Sequence, residues 1–180
     1  MSTQQLLPSA YSKPFVAVNL VGGAGCGKST LLEWLQQQSF VSQWSNHRTP
    51  LPDARSSRFR VAAEPEPLDL NLLTVNGGAL YRSTPAIDVY LVMYAAGDAR
   101  SLECARRLAA EVRKAVEAPR VLLLENVKRA CDAGGGGGAL PEELCDLEFQ
   151  SVSALAGEGC EEALMKLVSL ASAGQKELAL

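Results

Sequence analysis

The sequence predicts an α/β domain built on a doubly wound, mostly parallel six-stranded sheet. Three observations carry the prediction. Apolar runs of strand length alternate with helix-length amphipathic segments, a glycine cluster separates the first such strand from the first helix, and the composition is that of one globular domain. Of 180 residues, 47% are apolar and 21% charged. A chain of this length buries roughly 70% of the surface that its unfolded form exposes, so its core needs neither disulfide nor metal.

Residues 1–13 are polar and aperiodic, which predicts a flexible N-terminal lead, one domain over 14–173 and a short tail at 174–180. Phe15 to Val21 is almost continuously apolar, the pattern of a strand covered on both faces. After the glycines, Ser29 to Ser39 places Leu31, Leu32 and Leu35 on one side and Gln36 to Gln38 around the other, a short helix. Residues 41–57 carry two prolines, four serines and no period, so an exposed loop is expected there. Arg58 to Glu64 and Leu68 to Val75 both alternate across the Glu64-Pro65-Glu66-Pro67 break, which predicts an antiparallel pair at the sheet edge. Ile87 to Tyr94 and Arg120 to Asn126 read as buried strands. Between them, Ser101 to Glu117 puts Leu102, Ala105, Leu108, Ala109, Val112 and Val116 on one helical face, giving a right-handed β-α-β crossover. The five glycines at 134–138 cannot pack and are expected to form a floppy insertion. A strand near Phe149 to Val152 and a helix from Glu158 to about Ala173 complete the pattern.

Composition also excludes function classes. With 17 basic against 20 acidic residues and a net charge of -3, no positive field is available for nucleic acid. No apolar run approaches the ~20 residues of a membrane-spanning helix. The five cysteines include no C-x-x-C pair and His47 is the only histidine, so neither a zinc site nor a disulfide framework is expected. The thiols read as reduced, which places the protein inside the cell, in cytoplasm or nucleus. No secretory leader is expected, Ser2 stands where myristoylation needs glycine, and no prenylatable cysteine is present, so no membrane anchor is expected.

The residues that carry chemistry are Gly22-Gly23-Ala24-Gly25-Cys26-Gly27-Lys28-Ser29, a match to G-x-x-x-x-G-K-[ST] between a buried strand and a helix. Glycines allow backbone N–H groups to turn inward as an anion nest, and the helix that follows adds its positive end. Lys28 supplies a point charge for β- and γ-phosphates, the Ser29 hydroxyl is the candidate Mg²⁺ ligand, and Thr30 completes the first helical turn at the phosphates. A nucleotide is the expected ligand. Cys26 is expected to fill the turn rather than to act as a redox thiol.

The order phosphate loop, long first loop, antiparallel hairpin and crossovers resembles the Ras-like small GTPases from Phe15 to about Leu170. The local string Gly25 to Leu32 is also similar to the phosphate loop of ABC transporter ATPases, but no L-S-G-G-Q follows. The Ras-like resemblance implies GTP or GDP and Mg²⁺ as cofactors, and it assigns the switch threonine to Thr49, the base-covering aromatic to Phe40 and a base contact to Asn126. Every later nucleotide motif departs from the family. Thr74-Val75-Asn76-Gly77-Gly78 stands where the family has D-x-x-G and a catalytic glutamine, so the Asp becomes Thr74 and the Gln becomes Gly78. Threonine adds no negative charge beside a metal, and glycine cannot orient an attacking water. Asn126-Val127-Lys128-Arg129 keeps only the Asn of N-K-x-D; Arg129 has donors alone and cannot accept from guanine. Asp132 is the nearest carboxylate that a shifted loop would offer in its place. Ser153-Ala154-Leu155 lacks the Lys of S-A-K.

Only nine residues separate Gly77 from Ile87, one of them Pro85, too few for the family's second switch helix. One sheet face should then lack its helical cover and be sealed either by Leu80 and Tyr81 or by a partner protein. Decayed motifs and a missing helix are similar to degenerate small-GTPase folds that serve as scaffold subunits, the inner-kinetochore centromere protein M family among them, to which the run Pro85 to Val92 has a likeness. That family lacks a usable phosphate loop, and this chain has one. The resemblance implies a pseudo-GTPase acting as scaffold or regulatory subunit of a protein complex. An active GTPase switch stays open, as does a small phosphate-loop kinase with a lid around Arg100, Arg106 and Arg107. Arg48, Arg55, Arg58 and Arg60 make a basic stretch read as solvated surface.

Overall fold

A computed structural model describes residues 15–48, 54–62, 67–75, 87–128 and 140–177. The chain runs β1 (Val16–Gly22), α1 (Lys28–Gln37), β2 (Val41–Arg48), β3 (Ala54–Val61), β4 (Leu68–Val75), β5 (Val89–Ala95), α2 (Ala99–Ala115), β6 (Val121–Asn126), a one-turn 3-10 helix (Glu142–Leu144), β7 (Glu148–Val152) and α3 (Cys160–Glu177). The unbroken apolar runs behave as strands covered on both faces must, since all seven residues of β1 and all seven of β5 are buried. The Asp98 carboxylate starts α2 by accepting from the N–H groups of Arg100 and Ser101. The last helix runs to Glu177, beyond the Ala173 end that the sequence suggests.

The strands form one sheet in the order β2-β3-β4-β1-β5-β6-β7, parallel from β4 to β7 and antiparallel across β2, β3 and β4. The six strands read from the sequence are all present, and β2 joins them as a seventh. The loop expected at 41–57 is therefore corrected: Val41 to Arg48 pairs with β3 from Val41 opposite Val61 to Arg48 opposite Arg55. Its polar sequence has no alternation to read because an edge strand is held by one ladder of backbone bonds. The prolines stand clear of it, at positions 50 and 52. The β3–β4 hairpin is thus interior to the sheet, with β2 at the edge.

Side-chain alternation splits the core into two layers. Val18, Leu20, Leu72, Leu91 and Leu124 meet Leu31 and Leu35 of α1 and Leu164 and Leu167 of α3 on one face. On the other, Val21, Tyr90, Val92 and Leu123 meet Ala105, Leu108 and Val112 of α2 and Leu144 of the 3-10 turn. This is a doubly wound α/β arrangement, compatible with Rossmann-like and phosphate-loop folds.

The sheet face expected to be sealed either by the chain's own side chains or by a partner is covered within the single chain at β1 and β4. By register, Ala17, Asn19, Asn71 and Leu73 lie on the α2 side of β1 and β4, and all four are buried in the single chain. The polar pair is not wasted there, since Ser56 Oγ donates to Asn71 Oδ1 at 2.6 Å. Leu80 and Tyr81, Thr49, Gly78, Arg129, Asp132, the glycines at 134–138 and the N-terminal lead lie outside the described residues.

Candidate functional site

Gly27 sets the shape of the glycine loop. It precedes α1 with φ +111°, a left-handed conformation that side chains resist, and a Cβ there would collide with the Asn126 amide. As N-cap it offers no side-chain acceptor to the first-turn N–H groups of α1, and no acidic residue stands in that turn. The positive end of the helix therefore faces the cleft without a local counter-charge.

Lys28 is 6% exposed and lies along the loop. Its Nζ donates to the carbonyls of Gly22 and Gly23, both at 2.8 Å, and stands 3.7 Å from Cys26 Sγ. An ammonium has three donors, so two are held by strong acceptors and the third faces a weak one. That third donor is the most weakly held of the three. Cys26 is buried beneath the loop, and burial pushes its thiol up from the ordinary range although the Lys28 ammonium pulls the other way. It stays a neutral filler, as expected.

Asn126 ends β6 and uses both ends of its amide on backbone. Its Nδ2 donates to Cys26 O at 2.9 Å, and its Oδ1 accepts from Ala154 N at 3.1 Å. The glycine loop, β6 and the turn after β7 are thereby tied through one buried side chain. Lys128 adds a third tie, donating from Nζ to Gly25 O. The sequence reading missed it, because the lysine stands one position later than N-K-x-D requires. The available signal was a cation two residues after a strand-terminal Asn.

A cleft of about 480 Å³ opens over these groups, lined by Ala24, Gly25, Gly27, Lys28, Ser29, Thr30, Asn126, Lys128 and Leu155. Gly22, Gly23 and Cys26 serve it from behind, as carbonyl acceptors and filler. Leu155, 80% exposed, forms an apolar rim where the resemblance looks for a lysine. Phe40 does not reach the cleft but packs on the core layer shared with α1. Thr74, at the end of β4, is buried opposite Leu20 and does not line the cleft.

Mg²⁺ at such a loop demands near-octahedral oxygen ligation, with one or two carboxylates beside the phosphates. Among the described residues the cleft offers the hydroxyls of Ser29 and Thr30 and no carboxylate, and no group of three His, Cys, Asp or Glu side chains comes together. The described donor set does not fit a divalent cation held by protein carboxylates. Two of the three arginines considered for a kinase lid are held elsewhere: Arg106 pairs with Glu103 of α2 and Glu143 of the 3-10 turn at 2.8 Å each, and Arg107 lies 4.0 Å from Glu111 of α2. In the basic stretch, Arg60 is held by Asp69 at 2.7 Å and Arg58 sits 5.3 Å over the Phe15 ring.

Fold and site together define an α/β protein with a glycine-loop cleft between its first strand and first helix. No protein-family model matches the chain, and no curated protein matches it significantly. Among the described residues no helix is long and apolar enough to cross a membrane.

Proposed function

We propose that this protein is a degenerate, Ras-like phosphate-loop subunit that holds a nucleotide and turns it over slowly or not at all, its output being assembly with protein partners. The observation that carries the proposal is the combination at the loop. Lys28 is buried along the loop with one of its three donors on nothing stronger than the Cys26 sulfur, while the positions that would supply chemistry carry Thr74 and Gly78. The buried Thr74 brings no negative charge to a metal, and Gly78 has no group to orient a nucleophile. Base recognition is reduced in parallel. Asn126 is committed to backbone at both ends, the Leu155 side chain has no polar atom to offer, and no carboxylate among the described residues lines the cleft to accept from a guanine edge.

Titration calorimetry with GTP and ATP tests the reading. Wild type should bind both, with affinities within about tenfold, because an unmatched base edge rather than the phosphates is what separates nucleotides. Lys28→Ala should bind neither and keep its fold by circular dichroism. Single-turnover hydrolysis should not exceed the order of 10⁻⁴ s⁻¹. Equal binding by wild type and variant would make the loop vestigial, and fast turnover would make the protein an active switch.

A further inference from the structure

We infer that the cleft takes a polyphosphate without a divalent cation, Lys128 supplying the second positive charge, an inference that rests on the phosphate-binding reading above. Two ammonium groups converge on one short loop from opposite elements. Lys28 Nζ sits on the carbonyls of Gly22 and Gly23 from α1, and Lys128 Nζ sits on the carbonyl of Gly25 from the end of β6. Both line the same cleft as the uncapped start of α1. The described lining holds two lysines and no carboxylate.

Such a set is complementary to anionic oxygen alone. A cation brought in on the phosphates meets two ammonium groups and the positive helix end, with only the neutral hydroxyls of Ser29 and Thr30 to offer it from the described lining. Mg²⁺ already chelated by the ligand also screens the charge that the lysines read. The ammonium of Lys128 is a point charge with three donors on a flexible stem, one of which is used on Gly25, so it can turn to a phosphate oxygen without breaking the fold. The Asn126 tie keeps the loop in place meanwhile. The recognised chemistry is a linear polyphosphate, whether carried on a nucleoside or free.

Calorimetry on the full chain with GTP, ATP and inorganic tripolyphosphate, each in EDTA and in excess Mg²⁺, tests this and separates the two sources. Affinity in EDTA should equal or exceed that in Mg²⁺, within about threefold, and Lys128→Met should weaken binding in EDTA by at least about tenfold. The salt dependence should flatten in Lys128→Met and return in Lys128→Arg, which a structural role for Lys128 would not produce. Thermal unfolding checks that the exposed substitution leaves the fold intact. Tighter binding in Mg²⁺ by tenfold or more, or unchanged binding by Lys128→Met, overturns the inference and leaves the nucleotide reading standing. No binding in either condition overturns both. Equal affinity for tripolyphosphate and the nucleotides assigns recognition to the phosphates alone, and a strong nucleotide preference assigns a share to the rim around Leu155.

Discussion

Two glycines of one loop differ in what they hold. Gly25 has φ +71° and open space where a Cβ would stand, whereas a Cβ on Gly27, at φ +111°, meets the Asn126 amide and lies 3.3 Å from Met93 Cε. Gly25→Ala should therefore cost about 1 kcal/mol, the left-handed penalty alone. Gly27→Ala adds displacement of a buried amide with two hydrogen bonds, and should cost about 3 kcal/mol or more. Urea unfolding of the two variants measures the difference, and similar midpoints would contradict the collision. At this scale the sequence made Lys28 and the loop legible because the motif is a backbone conformation written in residue types. It concealed Lys128, since the Nζ reaches Gly25 across three-dimensional space from a position that no motif spacing marks. It also misplaced Phe40, whose aromatic ring suits a base and a core equally until the packing is known.

The elements were legible where burial writes a period. The strands β1, β5 and β6, and α2 with its buried Ala105, Leu108 and Val112, fall within a few residues of their expected bounds. Edge strand β2, Val41-Ser42-Gln43-Trp44-Ser45-Asn46-His47-Arg48, carries no apolar alternation in its sequence, and so read as loop. The start of α3 shows a competition that sequence cannot weigh. A thiol at a helix N-terminus is ordinarily acidified by the helix, yet Cys160 is buried, its Sγ lies 3.8 Å from Ser153 O, and the Glu162 carboxylate is close. Burial first, then Glu162, pushes its thiol up to about 11 from an ordinary 9.0. The folded chain thus keeps the proton through a range in which the unfolded chain releases it. The stabilisation is complete below pH 9 and is lost between about pH 9 and 11, by roughly 2–3 kcal/mol. Denaturant unfolding of wild type and Cys160→Ala across that range isolates the effect, since Cys26, Tyr90 and Tyr94 are shifted in the same direction in both. A wild-type loss no steeper than the variant's would place the thiol in contact with water.

At the scale of the molecule, a switch needs an element that contacts the terminal phosphate in one state and leaves it in the other, because a ligand moves an equilibrium only through differential contacts. The described residues that line this cleft belong to the β1–α1 loop, the first turn of α1, the end of β6 and the turn before α3, and Asn126 and Lys128 tie the loop to the last two. None comes from the β3–β4 side of the sheet, and Thr74 there is turned into the core. A terminal phosphate then tightens a network that is already closed. Hydrogen exchange on the full chain, ligand-free, with GDP and with a non-hydrolysable GTP analogue, should show protection rising only at residues 22–30, 126–128 and 153–155. The two nucleotides should give the same pattern elsewhere, because opening free energies in β3, β4 and α2 are set by core packing that the cleft does not touch. The affinity of a partner should be equally indifferent to which nucleotide is bound. Exchange that differs between GDP and the analogue in β3, β4 or the connection after β4 would reveal a sensor of the terminal phosphate, and the protein would be a switch rather than a fixed subunit.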